Sequence, residues 1–205
     1  MAVRAVVWDM DGTLLDSSVA VPAAFVTALA RRGGPAVDAA QVIAAYPMGT
    51  AEVIMAHLAG RAVNDADMDE YYGELGRSAV EAYPGVAEVL SQLQARGLPI
   101  AVFTGASRRA ASILLAAGGV TADVLIGGDQ VRHPKPAADG LLLAAQRIGV
   151  PAADLAYIGD SPADMGAARA AGSHAAAAAW GHMYDAAVTA DSVLTAPGQA
   201  LALLD

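Results

Sequence analysis

Residues 3–13, with the sequence VRAVVWDMDGT, decide how the rest of the chain is interpreted. The short apolar run at 3–8 predicts a buried strand of a parallel sheet. It ends in two aspartates and a glycine, and carboxylates at the mouth of an apolar strand are costly unless they bind a cation or take part in chemistry. Because open α/β sheets bind ligands outside the carboxyl ends of their strands, Asp9 and Asp11 mark a candidate site. An acidic turn or helix cap is the alternative that this stretch alone leaves open.

The composition limits the classes of function that fit the chain. Its 205 residues are enough for one full domain and a small insertion. A net charge of −9 argues against nucleic acid or an anionic membrane as a partner. The absence of cysteine excludes disulfides and thiol catalysis. No apolar run is long enough to cross a membrane and the N-terminus lacks a signal-peptide pattern, so we expect a cytoplasmic enzyme of open oligomeric state.

Lysine occurs once in this sequence, at Lys135, among 12 basic residues. Arginine carries every other positive side-chain charge. A single lysine between two prolines is therefore better explained by a chemical requirement than by chance. An incidental surface lysine in a loop is the alternative.

Helical patterns alone follow the first strand, from residue 18 to residue 83. The four segments are 19–32, 38–46, 50–60 and 64–82, each bounded by glycine, proline or a capping side chain. A first crossover of this length is uncommon, so we interpret residues 17–82 as a four-helix cap. Residues 1–16 and 83–205 would then form the main α/β domain. The alternative is that the four helices merely pack on the sheet.

Strands and helices alternate through the rest of the chain. The predicted strands are 99–103, 124–126, 155–158, 175–180 and 193–194, and the predicted helices are 84–96, 107–117, 137–148, 162–172 and 197–204. The strand at 175–180 contradicts local propensity because its alanine run favours helix, but the alternation requires a strand there. The fold class predicted is a doubly wound, Rossmann-like parallel sheet with right-handed crossovers and an inserted helical cap.

Polar side chains are predicted at or beyond the carboxyl ends of several strands. Asp9, Thr104, Lys135 and Asp160 all occupy such positions. Because the carboxyl ends of parallel strands share one edge of the sheet, we expect these four side chains to converge on one crevice.

Four carboxylates are expected to crowd that crevice. Asp160 and Asp164 are four residues apart and can share one face of the first turn of a helix. With Asp9 and Asp11 nearby, the four cannot all ionise without a cation. Carboxylates with a backbone carbonyl suit Mg²⁺, and no histidine–cysteine cluster indicates zinc.

Four motifs, in order, resemble those of the haloacid dehalogenase superfamily, the aspartate-nucleophile phosphatases. They are Asp9-Met10-Asp11-Gly12-Thr13, Thr104 in VFTGAS, Lys135 in RHPKP, and Gly159-Asp160-Ser161-Pro162-Ala163-Asp164. The similarity covers nearly the whole chain. Its pattern is closest to the phosphoglycolate phosphatase-like and β-phosphoglucomutase-like branch, which carries a helical cap after the first strand.

The resemblance implies a Mg²⁺-dependent phosphatase that acts on a small phosphorylated metabolite of the phosphoglycolate or sugar-phosphate type. By resemblance, Asp9 attacks phosphorus and forms an aspartyl-phosphate. Asp11 protonates the leaving oxygen and later deprotonates the attacking water. Lys135 supplies a compact positive charge.

The resemblance also implies which residues bind phosphate and metal. The hydroxyl of Thr104 and the amides of Gly105 and Ala106 would hold phosphoryl oxygens close to a helix N-terminus. Asp160 would ligate the metal together with the first-motif aspartates. Asp164 would ligate it directly or orient its waters.

Three other activities and one non-enzymatic role are the alternatives. A β-phosphoglucomutase-like enzyme uses a cap arginine that the stretch 46–52 lacks. A dehalogenase lacks the second aspartate, present here as Asp11, and a phosphonatase needs a cap lysine that this sequence does not have. A non-catalytic phosphometabolite-binding module should tolerate loss of Asp9 or Asp11, and both are retained.

Overall fold

A parallel six-stranded sheet carries the site in the computed structural model, which describes residues 2–204. The strands of the chain are β1 (Ala5–Trp8), β2 (Leu15–Asp16), β3 (Glu81–Ala82), β4 (Ala101–Phe103), β5 (Val124–Ile126), β6 (Leu155–Gly159), β7 (His174–Ala178) and β8 (Ser192–Leu194). The large sheet has the order β5-β4-β1-β6-β7-β8, and all its pairs are parallel. The predicted doubly wound fold is confirmed.

The described part of the chain contains eight α-helices, of which four lie in the predicted cap and four alternate with strands of the large sheet. They are α1 (Ala20–Arg31), α2 (Ala39–Ala45), α3 (Ala51–Ala59), α4 (Asp65–Arg77), α5 (Val86–Ala95), α6 (Arg108–Ala117), α7 (Asp139–Ile148) and α8 (Pro162–Ala171). Capping boxes at Asp38, Asn64 and Ser161 fix the starts of α2, α4 and α8, because each side chain accepts a hydrogen bond from a backbone amide in the first turn of its helix.

Both faces of β1 are buried, which accounts for its uninterrupted apolar sequence. Val6 and Trp8 pack into the core on one side of the sheet, and Ala5 and Val7 pack into the core on the other. Burial of each large apolar side chain stabilises the fold by about 1.5–3 kcal/mol. The strand that leads to the candidate site is therefore held rigidly from both sides.

The alanine-rich strand β7 forms as the alternation required. It pairs with β6 on one side and β8 on the other, and Ala175 to Ala178 are buried. Here ladder pairing and burial outweigh the helix propensity of alanine. The strand ends at Ala178, short of the predicted limit, and the Trp180 indole turns away to donate to the Thr13 carbonyl at 2.9 Å.

One detail of the sequence prediction was wrong, and another is now specified further. The predicted helix 64–82 ends at Arg77, and Glu81–Ala82 instead forms an antiparallel ribbon with Leu15–Asp16. The predicted terminal helix 197–204 is a 3₁₀-helix over Pro197–Leu203.

The ribbon of β2 and β3 lies where the chain leaves the sheet and returns to it. Along the sequence, helices α1 to α4 come between the two strands of this ribbon. These helices pack on one another, for example through the rings of Phe25 and Tyr71, whose centroids are 4.3 Å apart. We propose that residues 17–82 form the cap and that 1–16 and 83–205 form the main domain. Within 2–204 we find no helix with the length and apolar character needed to cross a bilayer.

Candidate active site

Three adjacent parallel strands deliver the candidate residues to one edge of the sheet. Asp9 directly follows β1, Thr104 directly follows β4, and Asp160 directly follows β6. The Asp9 amide donates to the Ile158 carbonyl at 2.8 Å, which continues the pairing of β1 with β6 up to the site. Lys135 reaches the same edge from the loop before α7.

Lys135 joins two of the aspartates. Its Nζ donates to Asp9 Oδ1 at 2.7 Å and to Asp164 Oδ1 at 2.6 Å, and its side chain is 11% exposed. Burial opposes the charged form, but the carboxylates of Asp164 and Asp9 outweigh it and raise the pKa of Lys135. The only lysine in the sequence is thus a largely buried cation bound to two buried carboxylates, and the interpretation of it as an incidental surface residue is wrong.

Asp9 lies in surroundings that disfavour its charge. It is buried, and burial raises its pKa well above the ordinary carboxyl value. The charges of Asp164 and Asp160 raise it further, while Lys135 lowers it. One lysine does not balance these carboxylates, so the ionised site has room for additional positive charge.

Asp160 provides a specific sign of a missing positive partner. Its Oδ2 accepts from the Met183 amide at 2.9 Å, whereas Oδ1 is buried and has no hydrogen-bond partner among residues 2–204. Burial raises the pKa of this carboxyl to about 6, and the charge of Asp164 adds to the effect. Leaving a buried carboxylate oxygen unpaired is expensive, and a bound cation would satisfy it.

The backbone approaches Asp160 closely at two glycines. A Cβ on Gly12, where φ is +80°, would lie 2.1 Å from Asp160 Oδ2. A Cβ on Gly181 would lie 2.2 Å from the Asp160 Cβ. Glycine at both positions therefore lets two loops close around this carboxylate.

Three carboxylates converge, not the four that the sequence predicted. Oxygens of Asp9, Asp160 and Asp164 all lie within 4.8 Å of one another. This separation and the all-oxygen donor set suit a hard divalent cation such as Mg²⁺. The carboxylate of Asp11 is outside this group.

Asp164 is occupied by protein donors. Its Oδ1 accepts from Lys135 and lies 3.0 Å from the Tyr157 hydroxyl, and its Oδ2 accepts from the Ser161 amide at 2.9 Å and the Ser161 hydroxyl at 2.6 Å. It is the third residue of α8 and part of the capping box, whereas Asp160 precedes the helix. The side chains of Asp160 and Asp164 therefore meet because of the capping box of α8, and not because they share a face of that helix.

Asp11 faces the predicted cap. The Ser17 hydroxyl donates to Asp11 Oδ1, and burial raises the pKa of Asp11. Its charge in turn contributes to the raised pKa of two tyrosines of the predicted cap, Tyr46 and Tyr71, for which burial is the larger cause. Asp11 therefore lies between the aspartate cluster and the helices predicted to cover it.

The Thr104 loop leads from the end of β4 into α6. The hydroxyl of Thr104 is buried and accepts from the Ala106 amide at 3.2 Å, and Gly105 between them is exposed. Ser107 then caps α6 by accepting from the Ala110 amide at 3.3 Å. The predicted phosphate-binding residues thus lie directly before a ten-residue helix.

Tyr157 belongs to the site although sequence reasoning missed it. Its hydroxyl lies 2.8 Å from the Phe103 carbonyl and 3.0 Å from Asp164 Oδ1. It has one proton to donate and so bonds one of these acceptors at a time. A tyrosine in the middle of a fully buried strand was the available signal, because a buried phenol needs a polar partner.

Comparisons with known proteins agree with this geometry. The family model for haloacid dehalogenase-like hydrolases matches residues 3–172. The chain is 32% identical to phosphoglycolate phosphatase from Escherichia coli (strain K12), over 91% of this chain and 85% of that protein. It is 36% identical to phosphoglycolate phosphatase from Xanthomonas campestris pv. campestris, over 87% of this chain and 84% of that protein.

A solved structure resembles the chain over its whole length. The haloacid dehalogenase family hydrolase from Deinococcus radiodurans R1, determined with bound phosphate and sodium, superposes with a TM-score of 0.69 at 25% identity. The match covers 99% of this chain and 98% of that one. With the family model and both relatives in agreement, the chain belongs to the haloacid dehalogenase-like hydrolases and is a phosphatase of that family.

Proposed function

We propose that the protein is a Mg²⁺-dependent phosphatase that hydrolyses a small phosphorylated metabolite through an aspartyl-phosphate on Asp9. The observation that carries this proposal is the buried Asp9–Asp160–Asp164 cluster with Lys135, in which Asp160 Oδ1 has no partner among the described residues. Asp9, Asp160 and the main-chain carbonyl of Asp11 would hold the ion. When bound, it supplies positive charge that reduces the repulsion between an anionic phosphate and a carboxylate.

Asp9 is the proposed nucleophile. One of its carboxylate oxygens forms a bond to phosphorus, and the bond from phosphorus to the ester oxygen breaks. The contact with Lys135 orients the carboxylate, and the rigid end of β1 fixes its position. The product of this step is an acyl phosphate on Asp9 and a leaving group that needs a proton.

Asp11 is the proposed general acid and base. Burial raises its pKa, which favours the protonated form needed to donate to the leaving oxygen. The Ser17 hydroxyl holds one carboxyl oxygen and leaves the other to face the substrate. In the second step the deprotonated Asp11 takes a proton from water, which attacks phosphorus and releases Asp9.

Phosphate binding is assigned to the Thr104 loop and to Lys135. Thr104 and Gly105 would offer a hydroxyl and an amide to the phosphoryl oxygens beside the N-terminus of α6, and the Ala106 amide would join them by exchanging its bond to the Thr104 hydroxyl for one to phosphate. Asp164 is better suited to positioning Lys135 than to direct metal ligation, because both its oxygens already accept hydrogen bonds.

The proposed substrate class follows the relatives. The proteins from E. coli and Xanthomonas are named for phosphoglycolate, and we propose phosphoglycolate or a small sugar phosphate for this chain. Residues 46–52 contain no arginine, so no observation favours the phosphomutase alternative.

A screen of phosphorylated metabolites at saturating Mg²⁺ tests the proposal. We expect turnover of at least one small phosphate ester, loss of turnover with chelator, and loss in Asp9→Asn. Glu88→Gln, which removes an exposed carboxylate from α5, is the matched control and should behave as wild type. Full activity after exhaustive chelation, or in Asp9→Asn, would refute the scheme.

A further inference from the structure

Helix α4 of the predicted cap touches the start of α6 through Tyr72. The Tyr72 hydroxyl lies 2.6 Å from Glu52 Oε1 on α3 and 3.0 Å from the Ser107 hydroxyl. Both Tyr72 and Ser107 are buried. Ser107 is the N-cap of α6 and comes three residues after Thr104, so this contact connects the cap helices to the end of the proposed phosphate loop.

The direction of these hydrogen bonds follows from counting protons. Burial and the bond to Glu52 raise the pKa of Tyr72 to about 12, so the phenol keeps its proton. Burial opposes ionisation of Glu52, yet the bond from Tyr72 lowers its pKa, so Glu52 is the acceptor. Since Tyr72 donates its only proton to Glu52, Ser107 must donate to Tyr72, while the Ala110 amide donates to Ser107. Every polar group in this series of hydrogen bonds therefore has a partner.

Arg109 reinforces the same junction from the solvent side. Its guanidinium carbon lies 4.2 Å from the centroid of the Tyr72 ring, and its Nη2 is 2.8 Å from Asp69 Oδ1 on α4. Both charged groups are more than half exposed, so the ion pair contributes little. Beside the junction is a cleft of about 440 Å³, with Glu52, Tyr72, Ser107 and Arg109 in its walls. Tyr72 and Ser107 are 5% and 2% exposed, so the bond between their hydroxyls is the specific part of the contact.

Helix α4 presents adjacent tyrosines to two parts of the site. Tyr72 contacts Ser107, and Tyr71 lies close enough to Asp11 for that charge to contribute to its raised pKa. A shift of α4 would therefore change the surroundings of Asp11 and of the Thr104 loop together.

We propose that Tyr72 is a positioning residue that couples the helical cap to the phosphate-binding loop through the hydroxyl of Ser107. This inference rests on the proposed function, because it assigns a role in phosphate binding to the Thr104 loop. Tyr72 does not touch the reacting atoms. It holds α4 against the N-cap of α6, and so keeps the amides of Gly105 and Ala106 oriented when phosphate arrives.

A double-mutant cycle tests the coupling. Tyr72→Phe removes the hydroxyl and keeps the ring, and Ser107→Ala removes its partner. We expect each single variant to raise KM for the substrate found in the screen by about 5- to 10-fold, the equivalent of one net hydrogen bond, with kcat nearly unchanged. The double variant should be no worse than the worse single variant, because both act through one contact. Ser107→Thr, which keeps the N-cap of α6 and the donor hydroxyl, should retain the wild-type KM.

Any one of three kinetic results would overturn the proposal. They are an unchanged KM in Tyr72→Phe, single effects that multiply in the double variant, and an equal effect from Ser91→Ala, which removes an exposed hydroxyl from α5. A lower melting temperature with wild-type KM would assign Tyr72 a purely structural role and would also overturn it.

Amide hydrogen exchange separates failure of this inference from failure of the proposed function, since it needs no turnover. In Tyr72→Phe we expect faster exchange in residues 104–111 and 65–77, with α7 and α8 unchanged. Absent turnover by the wild-type protein would refute the proposed function and leave this measurement valid. Unchanged exchange in both segments would refute the coupling.

Discussion

Two buried carboxylate sites in this molecule have opposite electrostatics. In the predicted cap, Asp67 accepts from Arg61 through both oxygens at 2.7 and 2.9 Å, from Arg32 at 3.0 Å and from the Asn64 amide at 3.0 Å. These partners hold the pKa of Asp67 well below the usual carboxyl range. The hydrogen bonds from Arg61 make the largest contribution. At the sheet edge, burial raises the pKa values of Asp9 and Asp160.

The carboxylates at the two sites have similar exposed fractions, so burial alone does not explain the difference between their pKa values. Asp67 is 2% exposed, and Asp9 and Asp160 are each 4% exposed. Asp67 has two arginines and an amide to itself, whereas Asp9 and Asp164 share one lysine and Asp160 has an unpaired oxygen. A carboxylate with a full set of donors stabilises a fold, and one left short of donors is available for a cation and for chemistry.

The largest effect should come from making the same aspartate-to-asparagine substitution at each of the two sites. Asp9→Asn removes the proposed nucleophile, and we expect activity to fall by roughly 10⁴-fold or more. Its melting temperature should stay the same or rise, because repulsion with Asp164 and Asp160 is relieved. Asp67→Asn should do the opposite, with nearly full activity in the folded fraction and a lower melting temperature. Steady-state kinetics and thermal melts on both variants check this, and appreciable turnover in Asp9→Asn would remove the basis of the comparison.

Lys135 should be next in size. Lys135→Arg keeps the charge but replaces a compact ammonium, enclosed by two carboxylates and the rings of Phe103 and Tyr157, with a larger planar group. We expect kcat to fall by roughly 10²- to 10³-fold in both Lys135→Arg and Lys135→Ala, by analogy with loss of one preorganised donor. Thermal melts control for folding. Wild-type kcat in Lys135→Arg would show that any cation is sufficient at this position.

Metal and pH should separate the two carboxylate sites without any mutation. The raised pKa of Asp160, about 6, means that ionising it costs the metal-free fold stability as pH rises from about 4 to about 6. Mg²⁺ should recover that stability above about pH 6 and have little effect at pH 5. The lowered pKa of Asp67 has the opposite sign, so its contribution is present above about pH 4 and is lost as pH falls below that.

Melting temperatures with Mg²⁺ and with chelator across this pH range provide the measurement. The stabilisation by Mg²⁺ should disappear in Asp160→Asn and persist in Asp67→Asn. An equal Mg²⁺ effect in all three proteins would mean that the ion binds elsewhere.

Tyr157→Phe should have the smallest effect. It removes one hydroxyl that lies between the Phe103 carbonyl and Asp164, so about 1 kcal/mol of stability should be lost. A further decrease in kcat of about 5-fold is expected, because Asp164 then orients Lys135 less firmly. Denaturant unfolding and kcat on the same preparation measure the two effects, and an increase in either quantity would contradict the assigned contacts.

Local sequence determined most of the fold and the outline of the site. Residues 3–13 predicted both the central strand and the carboxylates after it, because burial on both faces of a parallel strand leaves an uninterrupted apolar run. The alanine strand β7 was predicted from the alternation alone. The ribbon of Leu15–Asp16 with Glu81–Ala82 was missed because two-residue strands carry no periodicity.

The finer structure of the site depends on contacts that sequence spacing does not reveal. Asp164 was grouped with the metal ligands by its spacing from Asp160, but the capping box with Ser161 and the bond to Lys135 determine what its oxygens contact. Tyr157 and Tyr72 were missed because a buried phenol looks like an ordinary core residue until its partner, distant in sequence, is known.

Trapping the covalent intermediate tests the central claim most directly. Wild-type protein would be mixed with Mg²⁺ and its substrate, quenched in acid within milliseconds, digested, and mapped by mass spectrometry. We predict one phosphoryl group on the peptide that contains Asp9, and none in Asp9→Asn or in chelator. A phosphoryl group on another residue, or burst-free turnover with an unmodified Asp9 peptide, would contradict it.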